Sequence, residues 1–334
     1  MIKEFFGKLP TGEDVYKYTF KNDDAELVVM TKGATVVSFK PYGRDIIGGF
    51  DTLDDYLLDT SHQGATIGRV ANRIGGAQFT MDGAVYMVTE NNNGNCLHGG
   101  VGFDYRLWSV EREGENFITM SYYAEDGEEG FPAGLLSKVT FTLEGATLII
   151  QYEAIPEGKT PIALTNHSYF NLNGFGATID EHVARIYAKK YTEVDEKLIP
   201  TGNQPSVIGT AFDFTEPHAI GERVGGDFIG YDHNFVLDTE ISKEFCGDAA
   251  GLAATVENAD LRMNVYTDQP GVQFYIGNFL GDLKPLYRGG VKGIMHGAFC
   301  LETQTEPNCV NHGIGFYEAG EKYTHICVYE VEKK

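Results

Sequence analysis

Short runs of β-branched and aromatic residues, each stopped by glycine, asparagine, aspartate or proline, recur along the whole chain. Ala25-Glu-Leu-Val-Val-Met30, Ala34-Thr-Val-Val-Ser-Phe39, Phe117–Tyr123, Ser137–Leu143 and Thr147–Glu153 all have this form. Such side chains suit a pleated, half-buried surface. The segments between them, Glu125-Asp-Gly-Glu-Glu-Gly-Phe-Pro132 and Glu144-Gly-Ala146, are turn-forming, and 41 glycines among 334 residues supply turns for many short strands. Gln78–Met87 reads as a hairpin with Asp82-Gly83 at its tip. Helical signals are few. Thr52–Leu58 is a short helix capped by Thr52 or Asp51, and Glu216–Gly221 is a helical turn. Tyr187–Phe214 is strand-like with long connections. No short-period repeat, low-complexity segment or linker interrupts the pattern, so one β-rich domain over residues 1–334 is expected.

Composition narrows the partners. With 48 acidic and 26 basic residues the formal charge is −22. That excludes a polyanionic partner such as nucleic acid, which needs clustered Lys and Arg. No apolar run reaches the ~18 residues of a membrane helix. Met1–Gly7 is too short and too charged for a signal peptide. The five cysteines, Cys96, Cys246, Cys300, Cys309 and Cys327, are odd in number and form no CxxC. Free thiols in a reducing cytoplasm are expected, with Cys300 and Cys327 in the core.

One stretch carries unusual chemistry. Pro161-Ile-Ala-Leu-Thr-Asn-His-Ser-Tyr-Phe-Asn-Leu172 begins apolar and then becomes a run of hydrogen-bonding side chains. Read as extended chain, it places Thr165, His167, Tyr169 and Asn171 on one face. That set suits a polyhydroxylated ligand; it also suits a strand end whose polar groups satisfy one another. Further segments stand out. Gly64–Gly76 holds Arg69 and Arg73 among glycines and apolar residues, where a guanidinium needs a carboxylate or several acceptors. Its spacing matches neither GxGxxG nor GxxxxGKS, so a phosphate loop is not indicated. The loop Asn91–Asp104 carries His98. Gly230–Leu237 holds Asp232, open to reading as a base, a hydroxyl acceptor, a partner for Arg73 or a turn residue. Ala298-Phe-Cys-Leu-Glu-Thr-Gln304 puts Glu302 inside an apolar strand, where an acid is costly to bury unless paired or functional. Glu125–Glu129 reads as a solvated acidic loop.

Thr165-Asn-His-Ser-Tyr-Phe-Asn-Leu172 resembles the motif of the aldose 1-epimerases, the galactose mutarotases. The block around Asn72-Arg73, the Leu97-His-Gly-Gly100 segment with its downstream Trp108, Gly230–Leu237, Pro270–Asn278 and Ala298–Gln304 are similar to further blocks of that family, in family order. One departure is Pro307-Asn308, where the family commonly has Pro-Asp; this concerns loop packing more than chemistry. The resemblance implies a large, distorted antiparallel β-sandwich with few short helices, an isomerase, no cofactor and no metal. It implies that Glu302 is catalytic and that Asn72, Arg73, His98, Asp232 and Gln273 reach the sugar, with Ser168 and Tyr169 completing the set.

The implied reaction interconverts the α and β anomers of a free aldose such as D-galactose or D-glucose. A base takes the C1 hydroxyl proton, an acid protonates the ring oxygen, and the ring opens and recloses. Glu302 is the candidate base. His167 is the candidate acid, expected to be held protonated by Asp232 and Glu302. Phe279 is one candidate for packing on the sugar. A Zn or Mn site on two His and two carboxylates has no HxH or HExxH spacing behind it. A glycosidase using Asp232 and Glu302, and a non-catalytic sugar-binding protein on the same fold, are the alternatives. The expected partner is a hexose, with no nucleic acid or membrane, the protein acting as a monomer or homodimer in the cytoplasm.

Overall fold

The computed structural model describes residues 1–334. Its largest element is a ten-stranded sheet. At its centre Leu135–Glu144, Thr147–Pro156, Tyr323–Lys333, Leu261–Thr267 and Asp248–Glu257 lie side by side, all antiparallel. A four-stranded sheet, Ile2–Lys8, Asp14–Lys21, Ala25–Met30 and Thr35–Pro41, leads the chain. A second four-stranded sheet runs in the order Ala188–Tyr191, Asp232–Leu237, Gly271–Tyr275, Cys300–Gln304.

Alternating burial along these strands explains why the sheets pack together. In Thr147–Pro156 the even-numbered Leu148, Ile150, Tyr152 and Ala154 are buried. They join Phe20 and Leu27 of the first sheet and Phe235, Phe274 and Leu301 of the third in one apolar cluster. Register shifts between Val28 and Val29, and between Leu252 and Ala254, bend the strands. The fold is therefore a distorted antiparallel β-sandwich, as expected. Its one α-helix is Leu53–Leu58, with Thr52 at the cap and its Oγ1 accepting the Asp55 N–H at 3.2 Å. The 78–87 hairpin forms as expected. The expected turn at 216–221 is realised as a two-residue strand, His218–Ala219, followed by a 3-10 turn over Ile220–Arg223.

Two expectations change. Only Thr165–Asn166 of the polar stretch is a strand, paired with Thr66–Ile67. Beyond it the chain departs from a ladder because its side chains bond backbone groups elsewhere: Asn171 Nδ2 donates to Ala177 O and Gly297 O, both at 2.9 Å. The acidic loop is solvated at Glu125–Gly127, as expected, but Glu128 and Glu129 are half-buried and paired. Arg106 pairs with Glu128 at 3.4 Å and Glu129 at 3.2 Å, and the Tyr122 hydroxyl donates to Glu128 at 2.7 Å. All five cysteines are unpaired. No helix is long and apolar enough to cross a membrane.

Candidate active site

The third sheet supplies one wall of a cavity of about 290 Å³. On it Glu302 is register partner to Gln273, which in turn is opposite Asn234. Asp232, two residues before Asn234, accepts a 2.7 Å hydrogen bond from Gln273 Nε2. Gln304 Nε2 reaches Gln273 Oε1 at 3.3 Å, so the amide is gripped from both sides. A row of cross-strand side chains thus fixes the orientation of Asp232 toward Glu302.

The opposite wall comes from short pieces held backbone to backbone. Arg73–Ile74 pairs with Cys96–Leu97. The His98 N–H donates to Asn72 O at 3.1 Å, and the Asn72 N–H donates to His98 Nδ1 at 3.2 Å. Asn72 and His98 both have left-handed backbones, φ 60 and φ 54, an uncommon state for residues with side chains that this mutual clamp sustains. Gly99, at φ 78, lies so close to the Gly68 carbonyl that any Cβ there would collide with it. Arg69 stays out of the cavity: its Nη1 donates to Pro132 O, Ala133 O and Thr160 Oγ1 at 2.8, 2.8 and 3.0 Å, the several acceptors that its setting required.

Of the residues singled out from the sequence, Asn72, Arg73, His98, His167, Tyr169, Asp232 and Glu302 line the cavity. Two do not. Ser168 faces away, its hydroxyl donating to Asn166 Oδ1 at 2.5 Å, as alternation along the chain dictates. Gln273 is buried behind Asp232 and supports it. Arg73 forms no ion pair with Asp232; its Nε donates to Asn92 Oδ1 at 3.2 Å. His62 was missed. It precedes the glycine-rich block, and its partner Asp104 is distant in sequence, so no local signal marked it. Phe279 is at the cavity and 61% exposed.

Glu302 Oε1 and His167 Nε2 are 3.6 Å apart. Tyr169 stacks on the His167 ring at 5.0 Å, and Cys300 Sγ is 3.7 Å from its Nδ1. Burial, and then the charge of Asp232, push the Glu302 carboxyl well above the usual range, against a smaller opposing pull from Arg73. Burial takes His167 down to about 3, and His62 pushes in the same direction. The expectation that carboxylates hold His167 protonated is therefore corrected, because burial dominates and no carboxylate is among the groups that raise it. His98 is also held well below its ordinary value, by burial and then by His62 and His167. Both shifts favour the uncharged forms, a protonated Glu302 carboxyl and a neutral His167 imidazole.

His98, His167 and Glu302 offer ligand atoms within 4.8 Å of one another, a spacing that could hold a metal ion. His98 Nδ1 already accepts the Asn72 N–H, which places the ring proton on Nε2. In that form His98 is a donor suited to a hydroxyl oxygen, and it would have to lose that proton to bind metal through Nε2.

Comparison with known proteins bears on this cavity. The family model described as "Aldose 1-epimerase" matches residues 16–330. The galactose mutarotase of Sus scrofa is 42% identical over 340 residues, covering 97% of this chain and 96% of that protein. The aldose 1-epimerase of Haemophilus influenzae is 34% identical over 344 residues, covering 97% of each. Among solved structures, an aldose epimerase homologue from C. elegans superposes with a TM-score of 0.85 at 27% identity, over 95% of this chain and 98% of that one. A galactose 1-epimerase from Lactobacillus acidophilus shares the fold, with a TM-score of 0.87 at 24% identity over 99% and 98% of the two chains.

Proposed function

Since the chain belongs to the aldose 1-epimerase family, we propose that its cavity opens and recloses the ring of a free aldose, with Glu302 as base and His167 as acid. The observation that carries this reading is the 3.6 Å apposition of Glu302 Oε1 and His167 Nε2 in a cavity otherwise equipped for hydroxyl groups.

The pair's single proton sets the sequence of events. Sugar hydroxyls that hydrogen-bond the carboxylate favour its charged form. The proton then passes to His167, giving a carboxylate and an imidazolium. Glu302 takes the proton from the C1 hydroxyl while His167 gives its proton to the ring oxygen. The C1–O5 bond breaks and an aldehyde forms. Afterwards Glu302 holds a proton and His167 is neutral, which is the distribution that burial favours. Rotation about C1–C2 presents the other face of the aldehyde, and the reverse transfers close the ring as the other anomer. The proton count of the pair is unchanged throughout, and no cofactor is consumed.

Asp232, Arg73, Asn72 and His98 hold the remaining hydroxyls, Tyr169 orients His167, and Phe279 covers an apolar face of the sugar at the mouth. D-Galactose is the first substrate to test, because relatives at 42% identity are named galactose mutarotases; D-glucose is the second. Five unpaired thiols support a reducing, cytoplasmic setting in hexose metabolism. The test is polarimetry of freshly dissolved α-galactose. The protein should speed the approach to the same final rotation and release nothing from nitrophenyl galactosides or glucosides. Nitrophenol release without faster mutarotation would replace this reading with the glycosidase one.

A further inference from the structure

His62 lines the same cavity and nothing above uses it. Its ring centroid is 4.8 Å from that of His98 and 5.9 Å from that of His167. Its Nδ1 is 2.8 Å from Oδ2 of Asp104, a carboxylate only 3% exposed. That ring is the one hydrogen-bond donor to Asp104, whose Oδ1 is buried without a partner. A buried carboxylate bonded by Nδ1–H fixes both the tautomer and the plane of an imidazole. It leaves Nε2, which bonds nothing in the protein, as the polar atom that the ring offers to the cavity.

We propose that His62, oriented by Asp104, is a further sugar-contacting residue, which donates from Nε2 to one hydroxyl of the aldose and so helps to select which aldoses bind. The inference rests on the epimerase reading of the cavity. Burial lowers the basicity of this imidazole, but the charge and hydrogen bond of Asp104 more than offset it, so His62 lies above its ordinary value. The 2.8 Å contact with the Asp104 carboxylate polarises the ring and so strengthens its Nε2–H as a donor. His62 differs in this from His98 and His167, which burial keeps neutral. Asp104 acts through His62 and is a positioning residue.

The experiment measures mutarotation of galactose, glucose and the 2-, 3-, 4- and 6-deoxygalactoses by wild type, His62→Leu and His62→Gln. His62→Leu should raise KM for galactose about 10-fold to 100-fold with kcat little changed. His62→Gln, which keeps an amide donor near the Nε2 position, should recover part of that loss. The KM penalty of His62→Leu should vanish for one deoxy sugar, the one lacking the contacted hydroxyl. Asp104→Asn should raise KM in wild type but add little to His62→Leu. The inference is overturned if His62→Leu, with an unchanged thermal midpoint, leaves KM within twofold, or if its penalty is the same for every deoxy sugar. Wild-type protein without mutarotase activity would instead overturn the epimerase reading itself.

Discussion

Glu302 Oε1 lies 3.6 Å from His167 Nε2, while Glu302 Oε2 is buried without a partner. Two groups this close titrate as a unit, so the limbs of a pH profile belong to the pair. The working form holds one proton. As pH rises through the raised value of the carboxyl, that proton leaves and kcat/KM falls. As pH falls toward about 3, His167 takes up a second proton, the pair can no longer act as a base, and kcat/KM falls again. Asp232 helps to raise the Glu302 carboxyl. Asp232→Asn removes that charge but keeps an acceptor for Gln273, so the alkaline limb of kcat/KM should move to lower pH. A limb that stays in place or moves upward contradicts the assignment.

Arg73 is placed for binding. It lines the cavity and its Nε is held by Asn92 Oδ1 at 3.2 Å. Arg73→Ala should raise KM about 10-fold to 100-fold, the worth of a hydrogen bond from a charged donor. Arg73 also pulls the Glu302 carboxyl down, so its loss should shift the alkaline limb upward, opposite in sign to Asp232→Asn. Steady-state kinetics across pH checks both. Unchanged kcat and KM, in a protein of normal stability, would remove Arg73 from the site.

Phe170 ties the polar stretch to the core. It is fully buried, its ring centroid is 4.7 Å from that of Tyr329 and 5.8 Å from that of Phe299, and its backbone exchanges hydrogen bonds with Phe299. Phe170→Ala should cost about 3–5 kcal/mol, the usual range for a buried Phe. Denaturant unfolding measures it; a loss under about 1 kcal/mol would mean that the core does not depend on this anchor.

Much of this arrangement was legible in the sequence, because strand-forming runs, turn residues and helix caps are local properties. The strand holding Glu302, the Asp82-Gly83 hairpin and the Thr52 cap could all be read from a few neighbouring residues. What could not be read depends on distant partners. His62 acquires its role from Asp104, 42 positions away. Gln273 turns out to brace Asp232 because cross-strand register, which the sequence does not display, sets them together. The protonation of His167 was misread for a related reason. Its neighbouring carboxylates were visible as residue types, whereas the completeness of its burial was not.

The most direct test of the account is the turnover of Glu302→Gln. The substitution keeps the size of the side chain and removes its basicity. General base catalysis is typically worth ~10²–10⁴ in rate, or about 3–5 kcal/mol of barrier. Polarimetry on fresh α-galactose, with the thermal midpoint measured alongside, should show a folded protein whose kcat is reduced by that factor. A folded Glu302→Gln variant that keeps more than a tenth of wild-type kcat would contradict the assignment of Glu302 as the base.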